Sequence, residues 1–233
     1  MNAADRLIVA LDVTAMPAAL AMARRLAGLI RIVKVGSALF TAAGPEVLGR
    51  LRRLGFAVML DLKFHDIPST VELSCRAAAR HRVAFLTVHA SGEREMLEAA
   101  VRGARSEAAR RRSRRPLVLG VTVLTSVRGV GGTASRVAQL AANALAAGCD
   151  GVVASAQEAP ALRRRFGRRL KILCPGIRPF GAQAGDQHRV ATPSGALAAG
   201  ADWLVIGRPI TGAQHPREAA AHILKEMEGS DAC

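Results

Sequence analysis

The segment Asp61-Leu62-Lys63-Phe64-His65-Asp66 carries the residue types that proton-transfer chemistry requires. It follows an apolar run, Phe56–Leu60, which is typical of a buried strand. Asp61 and Lys63 are two residues apart, so on a strand their side chains point to the same side. Because an unpaired buried charge is costly, we expect these charges to neutralise one another. A carboxylate–ammonium–carboxylate cluster at a strand end is what a proton-transfer site would need.

Lysine is rare in this chain, which makes its positions informative. Of the 33 basic residues only four are lysines, namely Lys34, Lys63, Lys171 and Lys225, and the rest are Arg. Arg cannot give up a proton near neutral pH, whereas the pKa of Lys can be tuned by its surroundings. Lys34 and Lys63 lie at the ends of apolar strand-like segments, and this position favours a functional role for both.

The elements that must position these residues alternate between strand-like and helix-like segments. The predicted strands are Leu7–Asp12, Ile32–Gly36, Ala57–Lys63, Ala84–His89, Leu117–Val123, Gly151–Ala154, Lys171–Cys174 and Trp203–Ile206. The predicted helices are Met16–Leu29, Pro45–Leu54, Ser69–Arg80, Glu93–Arg110, Ala134–Ala147, Gln157–Phe166, Thr192–Ala199 and Pro216–Met227. The strands read as near-continuous apolar runs, as expected for a parallel sheet that is covered on both faces.

Eight strand–helix units in 233 residues predict an α/β fold, a (β/α)8 TIM barrel that forms one domain over residues 1–233. A doubly wound sheet is the alternative. The chain has no GxGxxG after its first strand, which weakens the dinucleotide-binding version of that alternative.

Composition excludes several classes of protein. Half of the chain is apolar, which suffices for a sizeable core, and no apolar run reaches the ~18 residues that a membrane span needs. The first residues show no basic region followed by a signal-peptide core, so we expect a cytoplasmic protein. The four cysteines lack CxxC spacing, and we expect reduced, buried thiols rather than a zinc site.

The formal net charge of +15 raises the question of a nucleic-acid partner. Two Arg-rich runs stand out, Arg102–Arg115 and Arg163–Arg169. Both runs lack interleaved aromatic residues, and both lie between a helix pattern and the next strand. We interpret them as solvated helix ends and loops, and we expect neither nucleic acid nor a membrane as a partner.

Polar residues cluster after the predicted strands, where barrel enzymes build their sites. They are Asp12, Lys34, Asp61, Lys63, Asp66, His89, Thr125, Ser126, Arg178 and Arg208. The last two strand ends, with Arg178 and Gly207-Arg208, predict a phosphate site beside a helix start. The Gly-containing segment Phe180–Arg189 is predicted to form a lid beside it, with Gln187 reaching the ligand.

With these residues assembled, the chain resembles the orotidine 5′-phosphate decarboxylase family from Leu7 to about Thr211. One departure is Ser69, where the family usually has Asn. The most specific match is Asp61-Leu62-Lys63-Phe64-His65-Asp66-Ile67-Pro68-Ser69-Thr70. The other matching motifs are Val9–Asp12, Val33–Gly36, Val88–Ala90, Val123–Ser126, Pro175–Arg178, Gly185–Arg189 and Ile206–Thr211.

The resemblance implies decarboxylation of orotidine monophosphate to uridine monophosphate in pyrimidine biosynthesis, by a homodimer with shared sites and without a metal or organic cofactor. Lys63 would protonate C6 of the pyrimidine, Asp61 would lie near the departing carboxylate, and Lys34 would pair with Asp61 and reach a ribose hydroxyl. The resemblance also implies that Asp66 enters the site of the partner subunit, with Ile67 and Thr70 beside it. Asp12 would bind the ribose, and Thr125 and Ser126 would contact the pyrimidine edge. The implied phosphate contacts are Arg178, Gln187, Gly207 and Arg208.

Two other functions remain open at this point. A magnesium-dependent sugar-phosphate decarboxylase or aldolase on the same barrel would share the Asp-x-Lys-x-x-Asp spacing. Such relatives typically place an acid where this chain has Lys34, and an ammonium there would repel Mg²⁺. The second alternative is a non-catalytic basic barrel that binds RNA.

Overall fold

The computed structural model describes residues 2–125, 132–179 and 191–229, and it contains a closed barrel of eight parallel strands. Consecutive strands pair with one another, and β8 pairs with β1 to close the barrel. The predicted TIM barrel is therefore confirmed, and the doubly wound sheet is rejected. The strands are β1 (Leu7–Ala10), β2 (Ile32–Gly36), β3 (Ala57–Phe64), β4 (Phe85–His89), β5 (Leu117–Val121), β6 (Gly151–Val153), β7 (Lys171–Cys174) and β8 (Trp203–Ile206).

Helices surround the barrel and connect its strands. They are α1 (Ala3–Arg6), α2 (Met16–Leu26), α3 (Ser37–Ala43), α4 (Glu46–Arg53), α5 (Pro68–Arg80), α6 (Arg94–Arg110), α7 (Thr133–Ala146), α8 (Ala159–Phe166), α9 (Pro193–Ala198), α10 (Arg208–Thr211) and α11 (Pro216–Glu228), with a 3₁₀ turn at Gly167–Arg169. No helix of the described ranges is long and apolar enough to cross a bilayer.

The apolar core has two parts because alternate residues of each strand face opposite sides. One part fills the barrel interior, where Met59 packs with residues of the other strands and Phe85 meets Trp203 edge to face at 5.0 Å. The other part lies between the strands and the helices, and includes Val58 and Leu60. The next inward position after Met59 is Asp61, so the first charge of β3 lies at the carboxyl end of the apolar interior.

The helices α5 and α6 pack very closely, and this contact supports the β3–α5 loop. Gly103 of α6 lies against the backbone of Glu72 in α5, where a Cβ atom would overlap the Glu72 carbonyl. Farther along, Arg80 of α5, Arg110 of α6 and Arg111 directly after α6 all contact Glu107, whose side chain is 1% exposed. Glycine at the crossing and a shared carboxylate near the helix ends fix the two helices together.

The Arg-rich runs are not uniformly solvated. Arg112, Arg164 and Arg168 are exposed, as expected. Arg115, however, forms two hydrogen bonds with Asp150, and Arg163 contacts Asp202 at 2.8 Å. Asp150 and Asp202 in turn accept backbone N–H groups of β5 and β7, so part of each run anchors the barrel.

Candidate active site

A cleft of about 490 Å³ opens at the carboxyl end of the barrel strands. Apolar residues such as Met59, Val121 and Leu173 form its floor. Polar side chains stand around this floor at the strand ends. The cleft brings together eight of the predicted site residues, which are Asp12, Lys34, Asp61, Lys63, Thr125, Arg178, Gly207 and Arg208.

Four of these residues form one chain of alternating charges. Lys63 Nζ lies 3.0 Å from Asp61 Oδ2, and Lys34 Nζ lies 3.6 Å from the same oxygen. Lys34 Nζ also donates to Asp12 Oδ1 at 2.9 Å. Lys34 and Asp61 are largely buried, with side chains 11% and 12% exposed, whereas Lys63 is 34% exposed and faces the cleft. The predicted pairing of Lys34 with Asp61 is present, and the closer contact with Asp12 is an addition.

The contact between Lys63 and Asp61 does not result from the regular alternation of side chains along a strand. Its φ of +50° is in the left-handed region, which non-glycine residues rarely adopt. The pairing of β3 with β4 also shifts register between Leu60 and Phe64. Such irregularities re-aim side chains. The predicted contact between Asp61 and Lys63 is present, but the backbone that produces it departs from a regular strand.

Asp61 is held in its ionised form by its neighbours. Burial alone would raise the pKa of this carboxyl, because a charge loses its hydration inside the protein. The ammonium groups of Lys34 and Lys63 act in the opposite direction, as do hydrogen bonds from Lys63 and Thr87. The second influence prevails, and the pKa of Asp61 lies below its ordinary value.

Two residues of this cluster were not predicted from the sequence. Thr87 is fully buried in β4, and its hydroxyl donates to Asp61 Oδ1 at 3.0 Å. Gly36 ends β2, and a Cβ atom there would lie 3.0 Å from Lys34 Nζ. A Thr inside an apolar strand has no distinguishing signal, since β-branched residues are ordinary there. Gly36 follows Lys34 by two residues, and that spacing was the only available hint.

Two guanidinium groups stand on another part of the cleft wall. Arg178 follows β7 and Arg208 follows β8, and both line the cleft. The pKa of Arg178 lies below its ordinary value, first because of burial and second because of the positive charge of Arg208. Like charges placed together in this way favour a ligand that carries more than one negative charge. Gly207 also lines the cleft, and its Cβ position is 3.4 Å from Ala10 Cβ.

Comparison with known proteins identifies the family. Residues 5–223 match the model of the orotidine 5′-phosphate decarboxylase / HUMPS family. The chain belongs to this family. It is 49% identical over 230 residues to orotidine 5′-phosphate decarboxylase of Halorhodospira halophila, covering 95% of each chain, and 45% identical to the enzyme of Heliobacterium modesticaldum, covering 97% of each.

A solved structure shares both the fold and the family. The crystal structure of orotidine 5′-phosphate decarboxylase from Lactobacillus acidophilus superposes with a TM-score of 0.83 at 35% identity, covering 96% of this chain and 99% of that one. The relatives that carry this name are carboxy-lyases, so this member of the decarboxylase family is an enzyme of that class.

Three further predicted site residues of this decarboxylase-family chain, Asp66, Ile67 and Thr70, do not line its own cleft. Asp66, Ile67 and Thr70 lie in or after the β3–α5 loop and are exposed, and Asp66 Oδ1 accepts from the Ile67 backbone at 2.6 Å. Ser126, Gln187 and the whole predicted lid Phe180–Arg189 lie outside the described residues, which are 2–125, 132–179 and 191–229.

The three described thiols and His89 do not line the cleft. Cys75, Cys149 and Cys174 are free and buried, as predicted, and burial raises the pKa of each to about 12. Cys233 lies outside the described residues. His89 ends β4 with its ring 5.2 Å from that of His65. Burial first, and His65 and Lys63 next, lower the pKa of His89, which favours a neutral ring.

Proposed function

We propose that this enzyme decarboxylates orotidine 5′-monophosphate to uridine 5′-monophosphate in pyrimidine biosynthesis. The observation that carries the proposal is the joint presence, in one cleft, of the Lys63–Asp61–Lys34 network and the Arg178–Arg208 pair. The first group suits a reaction that builds negative charge on carbon. The second suits the phosphate of a nucleotide. The similarity to named orotidine 5′-phosphate decarboxylases supports the same substrate.

In the proposed reaction the bond between C6 and the carboxylate carbon breaks, and its electron pair remains on C6 as CO₂ leaves. The resulting sp² carbanion has no conjugated electron sink, so its stabilisation must be electrostatic. The Lys63 ammonium provides the nearest positive charge and donates a proton to C6. Lys63 is then a neutral amine, and solvent returns its proton before the next turnover.

One ammonium cannot supply the whole effect. Two unit charges ~4 Å apart interact by about 4 kcal/mol at an effective dielectric of ~20. A rate enhancement of ~10¹⁷ requires roughly 23 kcal/mol. The remainder must come from positioned charges and from contacts to the non-reacting parts of the substrate. Asp61 holds the ammonium in place. It also repels the substrate carboxylate, and this repulsion weakens as CO₂ departs.

Contacts to the sugar and phosphate complete the proposed complex. Lys34 and Asp12 form a polar pair at the strand ends that suits ribose hydroxyl groups, and Thr125 suits the pyrimidine edge with Ser126 beside it. Arg178, Gly207 and Arg208 suit the phosphate, with Gln187 from the following loop. Binding energy from these remote contacts orients the pyrimidine over Lys63.

A shared site in a homodimer is part of the proposal. Asp66 and Thr70 are exposed and do not line their own cleft, and the apolar side chains Ile67 and Leu73 nearby in the sequence are 64% and 62% exposed. Exposed apolar side chains of this size are typical of a surface that is covered in an assembly. We propose that they pack against a second copy, whose cleft receives Asp66, Ile67 and Thr70.

The sugar-phosphate alternative needs Mg²⁺ among the carboxylates. Here Lys34 already provides a positive charge between Asp12 and Asp61, at 2.9 Å and 3.6 Å from them. A divalent cation in the same place would be repelled. We therefore propose that the protein's own side chains, without a metal ion, catalyse the reaction.

The experiment is to follow the absorbance change of orotidine monophosphate with purified protein in EDTA, and again with added Mg²⁺. The proposal expects the same rate in both samples, with uridine monophosphate and CO₂ as products. Turnover that needs Mg²⁺ would support the metal-dependent alternative. Absence of turnover together with tight, salt-sensitive RNA binding would support the non-catalytic one.

A further inference from the structure

The fully buried hydroxyl of Thr87 occupies a position at which two parts of the proposed active site meet. It accepts a hydrogen bond from the backbone N–H of Lys63 at 3.0 Å and donates one to Asp61 Oδ1 at 3.0 Å. A hydroxyl has one proton to give, so the direction of both bonds is fixed. The carboxylate can only accept that proton, and the N–H can only donate to the oxygen.

The backbone explains why Lys63 needs this partner. Where β3 and β4 lose their register between Leu60 and Phe64, the regular ladder does not continue through Lys63. Lys63 also has a φ of +50°, which a non-glycine residue keeps only when its surroundings hold it there. The Thr87 side chain replaces a ladder carbonyl as the acceptor for the Lys63 N–H.

The same hydroxyl orients the carboxylate that faces the ammonium. Asp61 Oδ1 receives the Thr87 proton, which leaves Oδ2 turned toward both Lys63 Nζ at 3.0 Å and Lys34 Nζ at 3.6 Å. One side chain on β4 thus fixes the backbone of the proposed acid and the rotamer of its counter-ion.

We infer that Thr87 is a positioning residue for decarboxylation, one that sets the Lys63 ammonium and the Asp61 carboxylate in their reactive geometry without touching the substrate. This inference rests on the proposed function of Lys63 and Asp61. Thr87 does not line the cleft, so its action passes through these two residues.

The pKa of Asp61 depends on the charged groups around it and on its hydrogen bonds. Lys34 on β2, Lys63 on β3 and His89 on β4 all act on this carboxyl or are acted on by it. A hydrogen bond to the ionised form lowers a carboxyl pKa, so removal of the Thr87 hydroxyl must raise the pKa of Asp61. A role in packing alone would not move that pKa.

The test compares Thr87→Val, which keeps the shape, with Thr87→Ser, which keeps the hydroxyl. We expect Thr87→Val to lower kcat at least about tenfold while KM changes little, because the substrate contacts remain. We expect Thr87→Ser to remain close to wild type. The Asp61 pKa, measured by carboxyl ¹³C NMR and assigned through Asp61→Asn, should rise in Thr87→Val only.

The outcomes separate this inference from the proposed function. Thr87→Val with wild-type kcat and an unchanged Asp61 pKa would overturn it, as would a Ser variant as impaired as the Val variant. Should Thr87→Val fail to fold, Thr87→Ala and Thr87→Ser make the same comparison with smaller side chains. Should the wild type not turn over orotidine monophosphate, the proposed function fails, and the Asp61 pKa comparison alone decides the role of Thr87.

Discussion

Asp61 is the residue that joins the two lysines of the cleft. It contacts Lys63 at 3.0 Å and Lys34 at 3.6 Å, and its second oxygen accepts from Thr87. Burial would by itself favour the neutral acid, yet two ammonium groups and two hydrogen bonds outweigh it. The pair of lysines therefore keeps Asp61 ionised at the cleft, with a pKa below its ordinary value.

Arg208 is proposed to bind the phosphate of the substrate, and its removal should weaken substrate binding. We expect Arg208→Ala to raise KM for orotidine monophosphate by about 10- to 100-fold, since a charge-assisted contact to phosphate contributes about 1.5–3 kcal/mol. With orotidine, which lacks the phosphate, the variant and the wild type should react equally slowly. Steady-state kinetics with both substrates measure this difference.

The control for that experiment is Arg168→Ala, at an exposed residue of the 3₁₀ turn for which the described residues offer no ion-pair partner. It should leave both substrates unaffected. An Arg208→Ala variant that loses the same factor with orotidine as with the nucleotide would show that Arg208 does not act through the phosphate.

At the scale of the elements, β3 and the α5–α6 pair decide where the site residues lie. The irregular end of β3 turns Lys63 into the cleft, and α5 begins directly after the loop that carries Asp66. Gly103 lets α6 approach the backbone of α5, and Glu107 joins the ends of the two helices. We therefore expect a change that loosens the packing of α5 on α6 also to displace the loop between β3 and α5.

Glu107 gives a prediction of pH-dependent stability. Hydrogen bonds from Arg110 and Arg111 hold its pKa at about 2, below the ~4.3 of a free Glu. A carboxyl whose pKa is depressed by folding stabilises the protein above its unfolded pKa, and this stability is lost as pH falls through the folded value. The melting temperature of Glu107→Gln should thus be lower than that of wild type at pH 7, with the gap closing between about pH 4.3 and pH 2.

The matched control is Glu46→Gln, which removes an exposed ion pair with Arg50 in α4. Exposed pairs contribute little, so its melting temperature should stay near that of wild type at every pH. A Glu107→Gln variant that melts like this control at pH 7, or whose deficit grows in acid, would contradict the proposed role of Glu107.

Sequence patterns predicted the barrel and most strand limits because its strands are continuous apolar runs. The predicted ends of β1 at Asp12 and of β5 at Val123 are each two residues too far. The polar or apolar character of a residue does not reveal where the hydrogen bonds between two strands end. The helix Ser37–Ala43 was missed because seven residues are too few to show a helical period.

The candidate site was predicted where charge stood out against an apolar background, as for Lys34, Asp61 and Lys63. It was not predicted where the residue type is ordinary for its position. Thr87 looks like any β-branched strand residue, and the left-handed backbone of Lys63 has no sequence signal at a non-glycine position. The contact between Asp12 and Lys34 depends on the parallel register of β1 and β2, in which Ala10 pairs with Lys34.

At the scale of the whole molecule, a single chain supplies a cleft with both a reactive cluster and an arginine pair. The exposed β3–α5 region, with Ile67 and Leu73, is the part that a second copy would cover. A cytoplasmic location and the absence of a nucleic-acid partner stay predictions, and much of the positive charge lies on exposed arginines at the ends of helices.

The shared site predicts complementation between inactive variants. Lys63→Ala and Asp66→Ala should each be inactive as homodimers. Random subunit exchange makes half of the dimers mixed, and each mixed dimer contains one intact site, so about a quarter of the wild-type activity should return. Native mass spectrometry establishes that exchange has occurred. Continued inactivity after verified exchange would place Asp66 in the site of its own chain or outside catalysis.

We propose that Lys63 protonates C6 during a decarboxylation that needs no metal. The most direct measurement is proton NMR of the product after EDTA-treated protein has reacted with orotidine monophosphate in D₂O. We expect uridine monophosphate with deuterium at C6 from the wild type, and a rate at least about 10³-fold lower from Lys63→Ala. No product from the EDTA-treated wild type, or substantial product from Lys63→Ala, would contradict it.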